Sequence, residues 1–134
     1  MAETALHDDI DSRLQAVLAR LKAAGIVSSA VVRRDGVMIE ADMPGSAEDN
    51  EAFAAMAAAM LGAAETATSE LRQGAPRRVI MEIGDCRIVE VGAGPVALLV
   101  ATLPAGAPLT TMLKEIDRAA HDIRGIVKVA PPPQ

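Results

Sequence analysis

Phe53 is the only aromatic residue in this 134-residue chain; tyrosine and tryptophan are absent. A core must therefore be assembled from alanine, valine, leucine, isoleucine and methionine. Such a core lets helices and strands approach closely and provides few large anchors on which a base or a sugar ring would stack. The bias is strongest from Ala52 to Ala67, where alanine dominates. Hydrophobic residues still make up 51% of the chain. That is too apolar for a disordered segment and sufficient for one domain with a core that needs neither metal nor disulfide.

The formal net charge is −5, and the basic pairs Arg33–Arg34 and Arg77–Arg78 are too small to make a nucleic-acid-binding face. The opening MAETALHDD has no basic region leading into an apolar run, so it does not read as a signal peptide. No stretch of about 18 uncharged apolar residues is present to span a membrane. Cys86 is alone, which excludes an intramolecular disulfide and makes a reducing, cytoplasmic setting the expectation.

Hydrophobic spacing predicts a first helix over Asp9–Ala24, with Ile10, Leu14, Val17, Leu18 and Leu21 on one stripe. Asp8, Asp9 and Asp11 are expected at its positive end, where carboxylates are favoured, so helix capping accounts for them without a metal. Val27–Arg33 and Val37–Ala41 read as a hairpin turning at Asp35–Gly36. A second helix is predicted from Ala47 to Arg72, with Ser46 as N-cap, Asp49 near a capping-box position and Gly74 as terminator. Phe53, Met56, Ala57, Met60, Ala64, Ala67 and Leu71 share the face expected to lie on a sheet. Ala55, Ala59, Gly62 and Thr66 form a second, narrow stripe of small residues. A mid-helix glycine costs roughly 1 kcal/mol against alanine, so Gly62 argues for a close helix–helix contact there.

Three strands follow with short turns between them: Arg78–Ile83, Cys86–Val91 and Val96–Thr102. The run Val96–Ala101 is apolar on both faces, as suits a central strand. Arg78, Glu82, Arg87 and Glu90 place at least one of the other two nearer an edge. The last helix is predicted over Leu109–Arg124, with Leu109, Leu113, Ile116, Ala120 and Ile123 buried and Pro108 in its first turn. The expected fold is α+β: a five-stranded antiparallel sheet with helices on both faces, in the order α-β-β-α-β-β-β-α. Residues 1–9 form a tail, 10–126 the domain, and 127–134 a proline-rich C-terminal tail.

Signals for catalysis are poor. His7 falls in the N-terminal tail, and His121 lies beside the buried stripe of the last helix; neither has a neighbour that suggests a triad or a metal site. Cys86, at a strand start, reads as a small hydrophobe. Gly92–Ala93–Gly94–Pro95 lacks the Gly-Lys-Ser/Thr ending of a phosphate-binding loop and precedes a strand, so it reads as a hairpin turn. Glu48, Asp49 and Glu51 read as helix-terminus charges, and Glu65, Glu70 and Arg72 as a solvated edge. No catalytic, cofactor-binding or metal-binding residue is nominated, and the chain is not expected to be an enzyme.

The order of elements, with the segments Ala30–Ile39 (AVVRRDGVMI), Ala54–Leu61 (AAMAAAML), Thr68–Leu71 (TSEL), Arg78–Ile83 and Leu109–Ile123, resembles the roadblock/LC7 family. This is the dynein light-chain type domain, and the chain looks like a prokaryotic single-domain member. The resemblance covers about residues 10–126 and implies a profilin-like fold and a homo- or heterodimer. In that dimer two sheets join edge to edge through the strand after the middle helix, and the middle helices pair across a two-fold axis. Carried over, the interface would contain Ala55, Ala59, Gly62 and Thr66 on the helix and Arg78, Ile80 and Glu82 on the strand. The resemblance also implies a small Ras-like GTPase, or a signalling or scaffold complex, as partner. Arg33, Arg34 and Arg77 are weak candidates for partner contacts, and ordinary surface charge also accounts for them. The leading expectation is a homodimeric regulator or adaptor of such a GTPase. A self-assembling scaffold subunit is the alternative, and a small-molecule sensor domain ranks below it.

Overall fold

The computed structural model describes residues 2–128; Met1, residues 129–134 and the side chains of residues 2–7 lie outside the described residues. The proline-rich tail is therefore not described beyond Lys128. Eight elements follow in the expected order: α1 (Ala2–Ala23), β1 (Ser28–Arg33), β2 (Met38–Asp42), α2 (Ala47–Glu70), β3 (Val79–Ile83), β4 (Cys86–Ala93), β5 (Ala97–Pro104) and α3 (Leu109–Ile126). One expectation fails at the start. Helix α1 begins at Ala2, not near Asp9, so Asp8, Asp9 and Asp11 sit inside the helix and do not cap it. Asp9 instead lies 4.0 Å from Arg13, one turn on, an exposed pair of a kind worth at most a few tenths of a kcal/mol.

The five strands form one antiparallel sheet in the order β2-β1-β5-β4-β3. β5 is central, and Ala97 to Ala101 are all buried, as its two apolar faces require. β3 is an edge strand, and β2 is the other. The β1–β2 hairpin turns at Asp35–Gly36, where the Gly36 amide donates to the Arg33 carbonyl at 2.9 Å. Gly36 has φ +96°, and a Cβ there would stand 3.2 Å from the Ala55 Cα. Both the turn and the close passage of α2 call for glycine. The β4–β5 hairpin turns at Gly94–Val96; Gly92 and Ala93, expected in the turn, lie in β4, with Ala93 opposite Ala97.

Helices α1 and α3 cover one face of the sheet. Their core joins Leu14, Leu18, Leu21, Ile116 and Ile123 to Val89, Leu99 and Leu103. In α3 the buried set is Met112, Ile116, Ala119, Ala120 and Ile123, with Leu109 and Leu113 only partly buried against it. Helix α2 alone covers the other face, packing on Ala30, Val32, Leu98 and Val100. It connects one edge strand, β2, to the opposite edge strand, β3. At 24 residues it is about 36 Å long, ample to cross a five-stranded sheet about 19 Å wide.

The rotation of α2 differs from expectation. Its buried residues are Ala54, Ala57, Ala58 and Leu61, whereas Met56, Met60 and Leu71 are among the exposed large hydrophobics and Ala67 is exposed too. The helix is turned by about one residue, ~100°, from the predicted face. The sheet below already carries valines and leucines, so the helix seats its alanines there and the methionines point away. Its N-terminus is as expected, with the Asp49 amide donating to Ser46 Oγ at 3.1 Å. At the C-terminus Leu71 is the cap, and Arg72, ahead of Gly74, turns into the left-handed region at φ +57°.

Candidate functional site

The outward face of α2 carries the least ordinary surface of the molecule. From Ala52 to Ser69 the only charged residue is Glu65, and Glu65 does not belong to the exposed face. Both of its carboxylate oxygens accept from Arg34 Nη1 at 3.0 Å. The outward face therefore presents Ala52, Ala55, Met56, Ala59, Met60, Gly62, Ala63, Thr66 and Ala67, all exposed and none charged. Met56 is 67% exposed and Leu71, just past the helix, 69%. The interface candidates Ala55, Ala59, Gly62 and Thr66 thus do point away from the sheet. Nothing lies within 4 Å of a Cβ built on Gly62, so no contact inside the chain asks for glycine there. The Thr66 hydroxyl donates back to the Gly62 carbonyl at 3.0 Å, which removes much of its polarity from the surface.

β3 is the edge strand to which α2 leads. Val79 packs partly against the core under α2. Ile80 lies opposite Val89 and so on the α1–α3 side of the sheet, and Ile80 and Ile83 are exposed, Ile83 by 51%. The outer edge of β3 pairs with no strand among the described residues. Arg78 Nη2 donates to Asp117 Oδ2 on α3 at 2.9 Å, and its Nε is buried without a partner. Glu82 lies 3.6 Å from its cross-strand neighbour Arg87. The charges expected at the interface are thus engaged within the chain, and the isoleucines supply the free apolar surface.

The other basic candidates separate. Arg33 is held by Asp35 through its Nε and Nη2. That hydrogen bonding raises the Arg33 pKa and lowers that of Asp35. Arg34 donates from Nε to the Gly94 carbonyl at 3.0 Å as well as to Glu65, tying the β1–β2 hairpin to α2 and to the β4–β5 turn. Arg34 and Glu65 are therefore a tertiary tie, not the solvated charges their sequence context suggests. Arg77 is exposed. These residues do not converge on one point.

The most unusual polar residue was not singled out by sequence. Glu90 on β4 is 0% exposed, neither carboxylate oxygen has a hydrogen-bond partner, and burial pushes its pKa up to about 7. The available signal is alternation: Val89 and Val91 belong to the core under α1 and α3, so Glu90 must face α2. Among the described residues no group of three or more His, Cys, Asp or Glu side chains is placed to hold a metal. Cys86 is half-buried and His121 exposed; the His7 side chain lies outside the described residues. A shallow groove of about 530 Å³ between α1 and β2 is lined in part by Gln15, Lys22, Glu40 and Asp42. These pair with one another, Gln15 with Glu40 at 3.5 Å and Lys22 with Asp42 at 3.7 Å. No helix among the described residues is long and apolar enough to cross a membrane.

A five-stranded antiparallel sheet with two helices on one face and a single, outwardly apolar helix on the other fits the class of small α+β protein-binding modules. The chain belongs to the Roadblock/LC7 domain family, whose model matches residues 13–102. An uncharacterized protein of Methanocaldococcus jannaschii is 35% identical over 105 residues, covering 78% of this chain and 90% of its own. The fold is that of MglB from Myxococcus xanthus, at TM-score 0.80 and 18% identity, covering 91% of this chain and 94% of that one. A Roadblock/LC7 domain from Streptomyces avermitilis superposes at TM-score 0.75 and 16% identity, covering 89% and 98% respectively.

Proposed function

We propose that this chain is a non-enzymatic homodimeric module that joins its copy through β3 and the outward face of α2, and that the resulting platform regulates or adapts a small Ras-like GTPase. Two observations carry the dimer: the uncharged, exposed outward face of α2, and the outer edge of β3, which is unpaired among the described residues and carries exposed Ile80 and Ile83. An exposed apolar helix face marks an interaction site, and an unpaired edge strand is a liability that pairing removes. A two-fold assembly uses the same patch on both copies, which suits a stripe of alanine and glycine where two helices approach closely. The GTPase comes from family membership: roadblock/LC7 domains are associated with small Ras-like GTPases. No arginine is assigned as a finger, since Arg33 and Arg34 are held by Asp35 and Glu65. Regulation would then act by repositioning groups of the GTPase itself.

The test is capture of partners from the native cell extract on tagged protein, in GTP-analogue and in GDP buffers, with bound chains identified by mass and the binding repeated with the purified GTPase. Retention of a small GTPase preferentially in one nucleotide state supports the proposal. Recovery of the chain alone, whatever the nucleotide, overturns the GTPase reading and favours a self-assembling scaffold. One feature suits that second reading: among the described residues β2 leaves the far edge of the sheet unpaired as well.

A further inference from the structure

Glu90 sits where α2 rests on the sheet. It shares that face of β4 with Ile88, which packs against the core beneath α2, and with Gly92. Its cross-strand neighbours are Val79 on β3 and Val100 on β5. It is fully buried, and neither oxygen meets a donor. The charged groups around it are otherwise committed. On α2 the nearby charge is Glu65, bound by Arg34. Arg34, reaching over from the β1–β2 hairpin, has its Nη2 2.7 Å from where a Gly92 Cβ would lie, with Nε on the Gly94 carbonyl. β5 supplies Leu98 and Val100 to this layer and β3 supplies Val79. Arg78 is paired with Asp117 on α3, and Glu82 with Arg87. Against this, the buried residues of α2 are three alanines and one leucine, with Phe53 partly buried beside them and Arg34 bound to Glu65, a smaller apolar seat than the α1–α3 core.

We propose that Glu90 makes the seating of α2 on the sheet proton-dependent, the helix resting on a neutral carboxylic acid and opening locally, together with the β3 edge, when that group ionises and must be hydrated. A carboxylate in an apolar layer without a donor is strongly disfavoured. The least costly route to water is to move α2, which has the smaller apolar seat, rather than the α1–α3 core. Burial places the titration of Glu90 near 7, inside the range cells traverse. The seating of α2 stands independently of assembly; only its consequence, that proton release loosens the platform, rests on the dimer proposed above.

The experiment is amide hydrogen exchange on the full chain from pH 5 to 8, corrected for the intrinsic pH dependence of exchange, alongside the carboxyl carbon shift of Glu90. In wild type, protection of α2 and β3 is expected to fall by up to about tenfold per pH unit between pH 5 and 7 and then level off. Protection of α1 and α3 should hold. In Glu90→Gln the α2 profile is expected to be flat; Glu90→Leu serves as a second neutral variant should the amide disturb packing. Titration of Glu90 at the ordinary glutamate value, or the same pH-dependent loss in both neutral variants, or an equal loss in every element, overturns the proposal. Mass measured by light scattering across the same pH range is a separate readout. A monomer throughout sinks the dimer and leaves the exchange test intact.

Discussion

At the scale of single residues, Glu90 and Arg34 face opposite consequences of burial. The folded chain holds the Glu90 proton more tightly than the unfolded chain does, because its pKa rises from the ordinary 4.5 to about 7. Its contribution to stability is complete below about pH 4.5, declines as pH rises, and is gone above about pH 7. The whole displacement corresponds to about 3 kcal/mol. Glu90→Gln is therefore expected to match wild type at pH 4 and to exceed it by up to this amount at pH 8, read from urea unfolding at the two pH values. A variant less stable than wild type at pH 8 would mean that the carboxylate has a donor. Arg34 is the reverse case, a charge whose partners are satisfied. Arg34→Ala forfeits the bonds to Glu65 and to the Gly94 carbonyl. Both side chains are about one-third exposed, so the ion pair is discounted for screening, and a loss of about 1–2 kcal/mol is expected in the same assay. Glu65→Gln should recover part of that loss in the double variant, since the two groups act through each other. Additive losses would show that Arg34 works through Gly94 alone.

At the scale of elements, α2 determines most of what is distinctive. Gly62→Leu is expected to leave the far-ultraviolet circular dichroism of the chain intact, because the space around Gly62 is open. It should halve the mass seen by light scattering, because the bulky side chain blocks close approach of two helices. A dimer of unchanged stability would remove the helix-pairing argument. The same helix marks the boundary of what sequence can convey. Features decided within a few residues were legible: the Ser46 cap, the Asp35–Gly36 turn, a β4–β5 hairpin turning near Gly94–Pro95 and the apolar run that makes β5 central. The rotation of α2 was not, because the helix is apolar nearly all round and the predicted face followed its bulky residues. Which side it buries is decided by the side chains of β1, β4 and β5, distant in sequence. Glu65 reads as a solvated charge until the hairpin that brings Arg34 is in place, and Glu90, taken with Arg78, Glu82 and Arg87 as a sign of a strand near an edge, is buried only once α2 covers β4. The small stripe at Ala55, Ala59, Gly62 and Thr66 was legible as exposed; that Met56 and Met60 share that side was not.

At the scale of the molecule, the two faces of the sheet differ in completeness. The α1–α3 side is closed by a large aliphatic core and by the Arg20–Asp122 pair between the two helices. The α2 side ends in a bare apolar helix surface, and β3 leaves a strand edge unpaired among the described residues. In the proposed dimer that surface is covered by the second copy, and mass action then ties apparent stability to concentration. The wild-type denaturation midpoint is expected to rise with protein concentration, by the equivalent of about 1.4 kcal/mol per tenfold for a two-state dimer. The double change Met56→Asp with Met60→Asp puts two charges on the outward face without touching the alanines that seat the helix. It should therefore yield a folded monomer whose midpoint no longer depends on concentration. The same variant separates the platform from its cargo. If the GTPase binds a surface composed from both copies, this monomer fails to retain it even though α1, α3 and their core are unaltered. If the monomer binds the GTPase as tightly as wild type, the binding surface lies within one chain, and the apolar face of α2 serves assembly alone.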